Sequence, residues 1–164
     1  MLGEINILNY LLTFLTGMTP VLEIRGAIPL GVGLGLSYFE AFILGFFGNI
    51  IPIFFIVKYI KPLFEFFGRF KIFKVIIDFA TEKATRKIEE SERLQKYTLL
   101  GLFLFVAIPI PTTGAWVGSL VANFLNIPVK KAFWPLAAGV LVAGIIVLAI
   151  VVIAQGSFEA IFAK

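Results

Sequence analysis

"AFWPLAAGVLVAGIIVLAIVVIA", Ala132 to Ala154, carries no charged side chain over 23 residues. As a helix it is long enough to cross a hydrocarbon core of about 30 Å. The rest of the chain agrees. Of 164 residues, 60% are hydrophobic, 19 are phenylalanine and only 15% are charged, against roughly 25% charged in soluble domains. With a mean hydropathy of +1.01, the sequence reads as an all-α integral membrane protein, multi-pass in the cell membrane.

Composition also excludes chemistry. There is no cysteine and no histidine, so disulfides and thiolate metal sites are ruled out, and a proton relay would have to use carboxylates. No metal-ligand cluster, nucleophile–base arrangement or nucleotide fingerprint is evident, so neither an enzyme nor a cofactor is expected. The apolar N-terminus lacks a basic region, carries Glu4 and is followed by no A-x-A site. It reads as part of the mature protein rather than a signal peptide.

The chain forms one membrane domain in three parts. Residues 1–58 are apolar, 59–96 form a charged linker and 97–164 are apolar again. Between Lys58 and Lys96 lie ten basic and six acidic residues, counting both ends. Leu63, Phe66, Phe67, Phe70, Phe73 and Ile77 recur there at helical spacing, which predicts an amphipathic interfacial helix followed by a solvated one. The positive-inside rule places this linker in the cytoplasm. Its interspersed acids and lack of a stacking platform argue against nucleic acid.

The two apolar parts look alike. "RGA" (25–27), "EAF" (40–42) and Gly48 in the first answer to "TGA" (113–115), "KAF" (131–133) and Gly139 in the second. The offset is 88 residues at the first landmark and 91 at the other two. Each part reads as a short apolar arm, a Pro/Gly break with a second short arm, and a full span. The segments are about 5–18, 19–36 and 38–58, then 97–108, 109–125 and 129–154. Pro20 and Pro29 mark the first break, Pro109 and Pro111 the second. Two arms too short to cross make a re-entrant hairpin, tolerated at membrane depth only where protein or a watery cavity satisfies the backbone. With the linker cytoplasmic, the first hairpin opens outside, as does the N-terminus. The second opens to the cytoplasm, and the repeats come out inverted. The competing single kinked span over 97–125 would leave Lys130 and Lys131 outside, against the positive-inside rule.

The hairpin tips would meet near the bilayer midplane. Each second arm starts there, pointing free N–H groups and a positive dipole end into the cavity, which suits an anion. Gly26 and Gly114 allow close backbone approach. Thr112 and Thr113 suit N-capping. Arg25 adds a forked cation in a place where charge is costly and therefore a functional hypothesis. Glu23 has two open readings: a structural partner of Arg25, or a proton carrier. Asn49 could face the cavity, though a bond to a neighbouring helix is favoured. Trp116 could touch a lipid-like substrate, though packing is favoured.

These same stretches, "PVLEIRGAIPLGVGLG", "GNIIP" and "VAIPIPTTGAWVGSLVA", resemble the small multidrug export family of prokaryotic membrane proteins, grouped with the DedA superfamily. The resemblance implies two inverted re-entrant hairpins packed with transmembrane helices. For the superfamily it implies movement of lipids across the bilayer, including recycling of undecaprenyl phosphate with a link to the proton-motive force. Glu23 resembles the acidic residue of that family's first hairpin. The chain departs from DedA proper at the second hairpin, where Val106 and Thr112 stand roughly at that group's arginines.

The expectation is therefore a small transporter of an anionic lipid, such as a polyprenyl phosphate or a phospholipid. Arg25 and the arm N-termini would hold the headgroup, and Glu23 would exchange a proton. The alternatives are a small multidrug or cation exporter, against which Arg25 argues, and a non-transporting membrane scaffold. Membrane lipids are the expected partners. So small a chain is poorly suited to sealing a pathway alone, which makes a homodimer reasonable.

Overall fold

In the computed structural model, residues 7–67, 92–110 and 114–162 are described, and all the regular structure among them is helical. The helices are α1 (Ile7–Met18), α2 (Glu23–Gly33), α3 (Tyr38–Phe67), α4 (Glu92–Ala107), α5 (Ala115–Phe124) and α6 (Val129–Phe162). Among the described residues, only α3 and α6 are long and apolar enough to cross a membrane, over Tyr38–Ile60 and Val129–Gly156. The linker expected between the repeats falls largely on 68–91, outside the described residues; before it, α3 runs on to Phe67.

Each long helix follows a pair of short ones, and chemistry fixes the breaks. Pro20 has no N–H for the carbonyl of Thr16, four residues back. Thr19 takes that carbonyl instead, through its N–H at 3.1 Å and its hydroxyl at 2.8 Å. In the second break Ile110 N–H turns back to Ile108 O at 2.8 Å, around Pro109, a three-residue turn. Pro111 lies outside the described residues. Pro29 does not break the chain as expected. It lies inside α2, which loses one ladder donor but keeps its course. Ala27 and Ile28 are fully buried and hold the helix, so packing overrides one missing hydrogen bond.

The two short-to-long connections are built alike. After α2, Leu34 N–H bonds to Leu30 O, Gly35 to Val32 and Leu36 to Gly31. After α5, Leu125 bonds to Val121, Asn126 to Asn123 and Ile127 to Ala122. Both are left-handed helix stops with a bond reaching five residues back. Gly35 (φ 91°) and Asn126 (φ 52°) take the left-handed position, which suits glycine and, among L-residues, asparagine. Ser37 and Glu40 then close a capping box at the start of α3: Ser37 N–H donates to Glu40 Oε2 at 2.9 Å and Glu40 N–H to Ser37 Oγ at 3.3 Å. The equivalent Pro128 and Lys131 cannot form one.

Close helix approach recurs in the same places. A Cβ at Gly48 on α3 would strike the Phe14 carbonyl of α1, and one at Gly139 on α6 would meet the Phe103 carbonyl of α4 at 2.9 Å. Helix α2 runs antiparallel to α3: Gly31 sits at Ala41, and Ala27 and Ile24 sit at Gly45. Helices α3 and α6 also run antiparallel, with Phe42 beside Gly144 and Tyr38 hydroxyl bonded to Gln155. Ile24, Ile28, Ile53, Val106, Leu136 and Val140 form the centre of the core, while Ile145, Ile150 and Ile153 of α6 face outward. An apolar exterior over a packed apolar core is the surface expected against lipid.

Candidate functional site

The two breaks meet, and Glu23 and Arg25 join them. Glu23 opens α2 with φ 50°, a left-handed conformation that a non-glycine residue holds only when its surroundings enforce it. Its side chain is 3% exposed. The carboxylate reaches across to α5, accepting the Ala115 N–H on Oε2 at 3.2 Å and the Trp116 N–H on Oε1 at 3.1 Å. These are the first two residues of α5, whose N-cap Gly114 has no side chain to satisfy them. The carboxylate at the start of α2 thus caps α5, with charge, dipole and hydrogen bonds all acting together.

Gly114 makes the seat possible. Its φ of −127° and ψ of −175° are extended backbone open to any residue. The need for glycine is spatial: a Cβ would fall on the Glu23 carboxylate itself. At Gly26 a Cβ would first meet the Leu22 side chain, with 2.7 Å as its closest approach, so that position is crowded by the N-cap residue of its own helix.

Arg25 serves the opposite end of the same break. Its Nη1 lies 3.6 Å from Glu23 Oε2. Its Nη2 donates to Ile108 O at 3.3 Å and, at the long limit of 3.5 Å, to Val106 O. These carbonyls lie where Pro109 ends the α4 ladder, and a cation at a helix C-terminus complements its dipole. Glu23 and Arg25 therefore act as one clamp, the acid on the start of α5 and the base on the end of α4.

Asn49 stands opposite Glu23. The stripe Ala41, Gly45, Asn49 on α3 faces Gly31, then Ala27 and Ile24, on α2, and one further turn brings Asn49 level with Glu23. Its amide acts on that carboxylate without a hydrogen bond of good geometry. The side chain is 0% exposed, and both amide atoms are buried without a partner. Sequence reading favoured a neighbouring helix as its partner, and α3 turns the amide toward Glu23 of α2.

Trp116 contributes its backbone N–H, and its indole Nε1 is buried without a partner. Pro20 and Pro109 lie in the breaks. Thr112 and Thr113, the expected caps of α5, lie outside the described residues, and the cap observed is Glu23. Sequence reading missed the buried polar residues Thr13, Ser119 and Asn123. Asn123 donates to Val57 O at 2.9 Å and ties α5 to α3, and Ser119 donates to Ala115 O at 2.5 Å. A polar residue in an otherwise apolar arm was the available signal. No group of acids that could hold a metal occurs among the described residues.

A model of the family described as "Putative small multi-drug export protein" matches residues 23–146. The chain belongs to this family. The match begins at Glu23, just after the first break, and runs through the second break into α6, so the clamp residues lie inside the family's region. Membership and the two long apolar helices fit a membrane location. Comparison with curated proteins and with solved structures returned no match.

Proposed function

We propose that this protein is a proton-linked membrane transporter, not an enzyme, and that it moves an anionic group. One observation carries the reading: the α5 N-terminus, with Gly114 beside it, is an anion seat that holds the chain's own Glu23 carboxylate. Helix N-termini bind anions of many kinds. Protonating Glu23 removes its charge and its claim on the seat, leaving Arg25 and two backbone N–H groups for an external anion. The substrate class is an anionic lipid such as a polyprenyl phosphate or a phospholipid. Its headgroup takes the seat while its tail stays in the bilayer against the outward apolar faces.

The architecture of this reading is two inverted re-entrant repeats. The matched helix stops at Gly35 and Asn126, the matched close approaches at Gly48 and Gly139 and the antiparallel α3 and α6 support it. Because the chain has no cysteine, single-cysteine labelling reports topology directly. Phe39→Cys and Lys130→Cys, at equivalent starts of the two long helices, are expected to label from opposite sides of the membrane, Phe39→Cys from outside. Labelling of both from one side eliminates the inverted arrangement.

The transport reading is tested by native mass spectrometry of protein purified from its own membranes. Glu23→Gln is expected to retain about tenfold more lipid phosphate than wild type at neutral pH, because the competing carboxylate charge is gone; tenfold corresponds to about 1.4 kcal/mol, the scale of one charge-assisted hydrogen bond. Wild type is expected to approach the variant on acidification. The family description supports a second reading, export of lipophilic cations with Glu23 as their counter-charge. That reading predicts a cation bound by wild type and lost in Glu23→Gln, with lipid phosphate unchanged.

A further inference from the structure

Asn49 is the unexplained group of this core. It is fully buried, both atoms of its amide lack a hydrogen bond of good geometry, and the register of α3 on α2 sets it one turn beyond Gly45, level with Glu23. Buried polar groups are nearly always satisfied, so an orphaned pair points to an interaction made in another state. In the present state the two oxygens of Glu23 take one N–H each from Ala115 and Trp116, and neither is bonded to the amide in good geometry.

The geometry points to Asn49 as the alternative seat of Glu23, occupied when that acid is protonated. A neutral carboxyl has one O–H donor and one C=O acceptor; a primary amide has one C=O acceptor and N–H donors. Paired face to face, the acid O–H donates to Asn49 Oδ1 and the Asn49 N–H donates to the acid C=O. Both orphaned atoms are satisfied at once. The charged form has no donor and favours the backbone N–H groups of α5 and the cation of Arg25. The proton adds to one Glu23 oxygen, and no other bond changes.

The surroundings leave the choice to these partners. Among the described residues Arg25 is the charged group acting on Glu23. Helix α5 offers it backbone N–H groups, α3 offers Asn49 and α4 offers carbonyls already engaged by Arg25. Tyr10 and Glu40 bond to each other at 2.6 Å at the start of α3, away from Asn49, and Lys58 lies over the Phe54 and Tyr59 rings. The positive φ of Glu23 marks a backbone held in place by its present seat. Moving to Asn49 would release that constraint and vacate α5. The inference deepens the transport reading and rests on it for its purpose, but its test is separate.

Infrared difference spectra of the reconstituted protein between neutral and acid pH read the pair directly. A carboxylic C=O band absent in Glu23→Gln is assigned to Glu23. In wild type it is expected at the low-wavenumber position of a doubly hydrogen-bonded acid, and Asn49→Leu is expected to move it to the free-acid position. Wild-type protein with ¹⁵N in its asparagine side chains needs no variant: an amide band that shifts together with the Glu23 band supports the pair. An Asn49 amide silent through the titration, or a Glu23 band unmoved by Asn49→Leu, overturns it. Binding of inorganic phosphate and of vesicles containing phosphatidic acid then separates the two readings. With the pair formed, Asn49→Leu is expected to reduce the acid-induced gain in affinity about tenfold, the scale of a lost pair of hydrogen bonds. Loss for the vesicles alone identifies a lipid headgroup, and loss for both identifies free phosphate chemistry. An acid–amide pair with no acid-induced binding of either probe sinks the transport reading and leaves the Asn49 assignment standing.

Discussion

Gly114→Ala is expected to destabilise the folded protein by about 3 kcal/mol, measured as thermal unfolding in detergent at neutral pH. The added methyl occupies the place of the Glu23 carboxylate. The backbone there is extended and accepts alanine without strain, so the loss arises from the carboxylate alone. Two hydrogen bonds from N–H groups to a charged acceptor are broken, each contributing about 1.5 kcal/mol or more. A buried charge is also left partly uncompensated. The dependence on Glu23 makes the argument testable in a double-mutant cycle. With Glu23→Ala already present, the atoms nearest the entering methyl are gone, and Gly114→Ala should change stability by less than about 0.5 kcal/mol. Equal losses in both backgrounds would show that Gly114 is needed for some reason other than the seat.

The cycle also separates what the sequence could tell from what it could not. The two long helices were legible because uncharged runs of that length have few other uses. The breaks were legible because proline removes a donor wherever it stands, and Pro20 and Pro109 fall between helices as that rule requires. Pro29 obeys the same local rule and still lies within α2, because the buried faces at Ala27 and Ile28 supply a constraint that local propensity does not contain. The internal offset of 91 residues was legible at EAF and KAF, and it reappears in the paired stops at Gly35 and Asn126.

What local reading could not supply was the occupant of the anion seat. Gly114 and the start of α5 were read as a place for an external anion. The groups that form the seat are backbone N–H groups of Ala115 and Trp116, which carry no side-chain signature. Their partner is 92 and 93 residues away in sequence. Asn49 shows a related limit. An asparagine in an apolar span invites a neighbouring helix as its partner, and only the register of α3 on α2 sets it against Glu23. In each case local chemistry named the right residue type, and tertiary contact decided its role.

Arg25 offers the second large effect, and its pH dependence identifies which half of the clamp matters. Arg25→Ala removes a cation 3.6 Å from Glu23 and the donor to the Ile108 carbonyl at 3.3 Å. Breaking a buried ion pair by removing one partner costs about 3–5 kcal/mol. Arg25 remains 16% exposed in its side chain, so some solvent screening applies and about 2–3 kcal/mol is expected at neutral pH. A neutral carboxyl needs no cation, so a loss acting through Glu23 should shrink on acidification as that acid takes up its proton. A loss acting through the α4 carbonyls should be the same at every pH. Arg25→Lys sharpens the comparison, because an ammonium keeps the charge but lacks the planar fork that serves acid and carbonyls together. Thermal unfolding of wild type and the two variants across pH is the measurement. If the Arg25→Ala deficit narrows in acid and Arg25→Lys restores about half of it, the Glu23 charge is what Arg25 holds in place. A flat deficit that lysine does not relieve would make Arg25 a cap of α4 and leave the seat on α5 to retain Glu23 unaided.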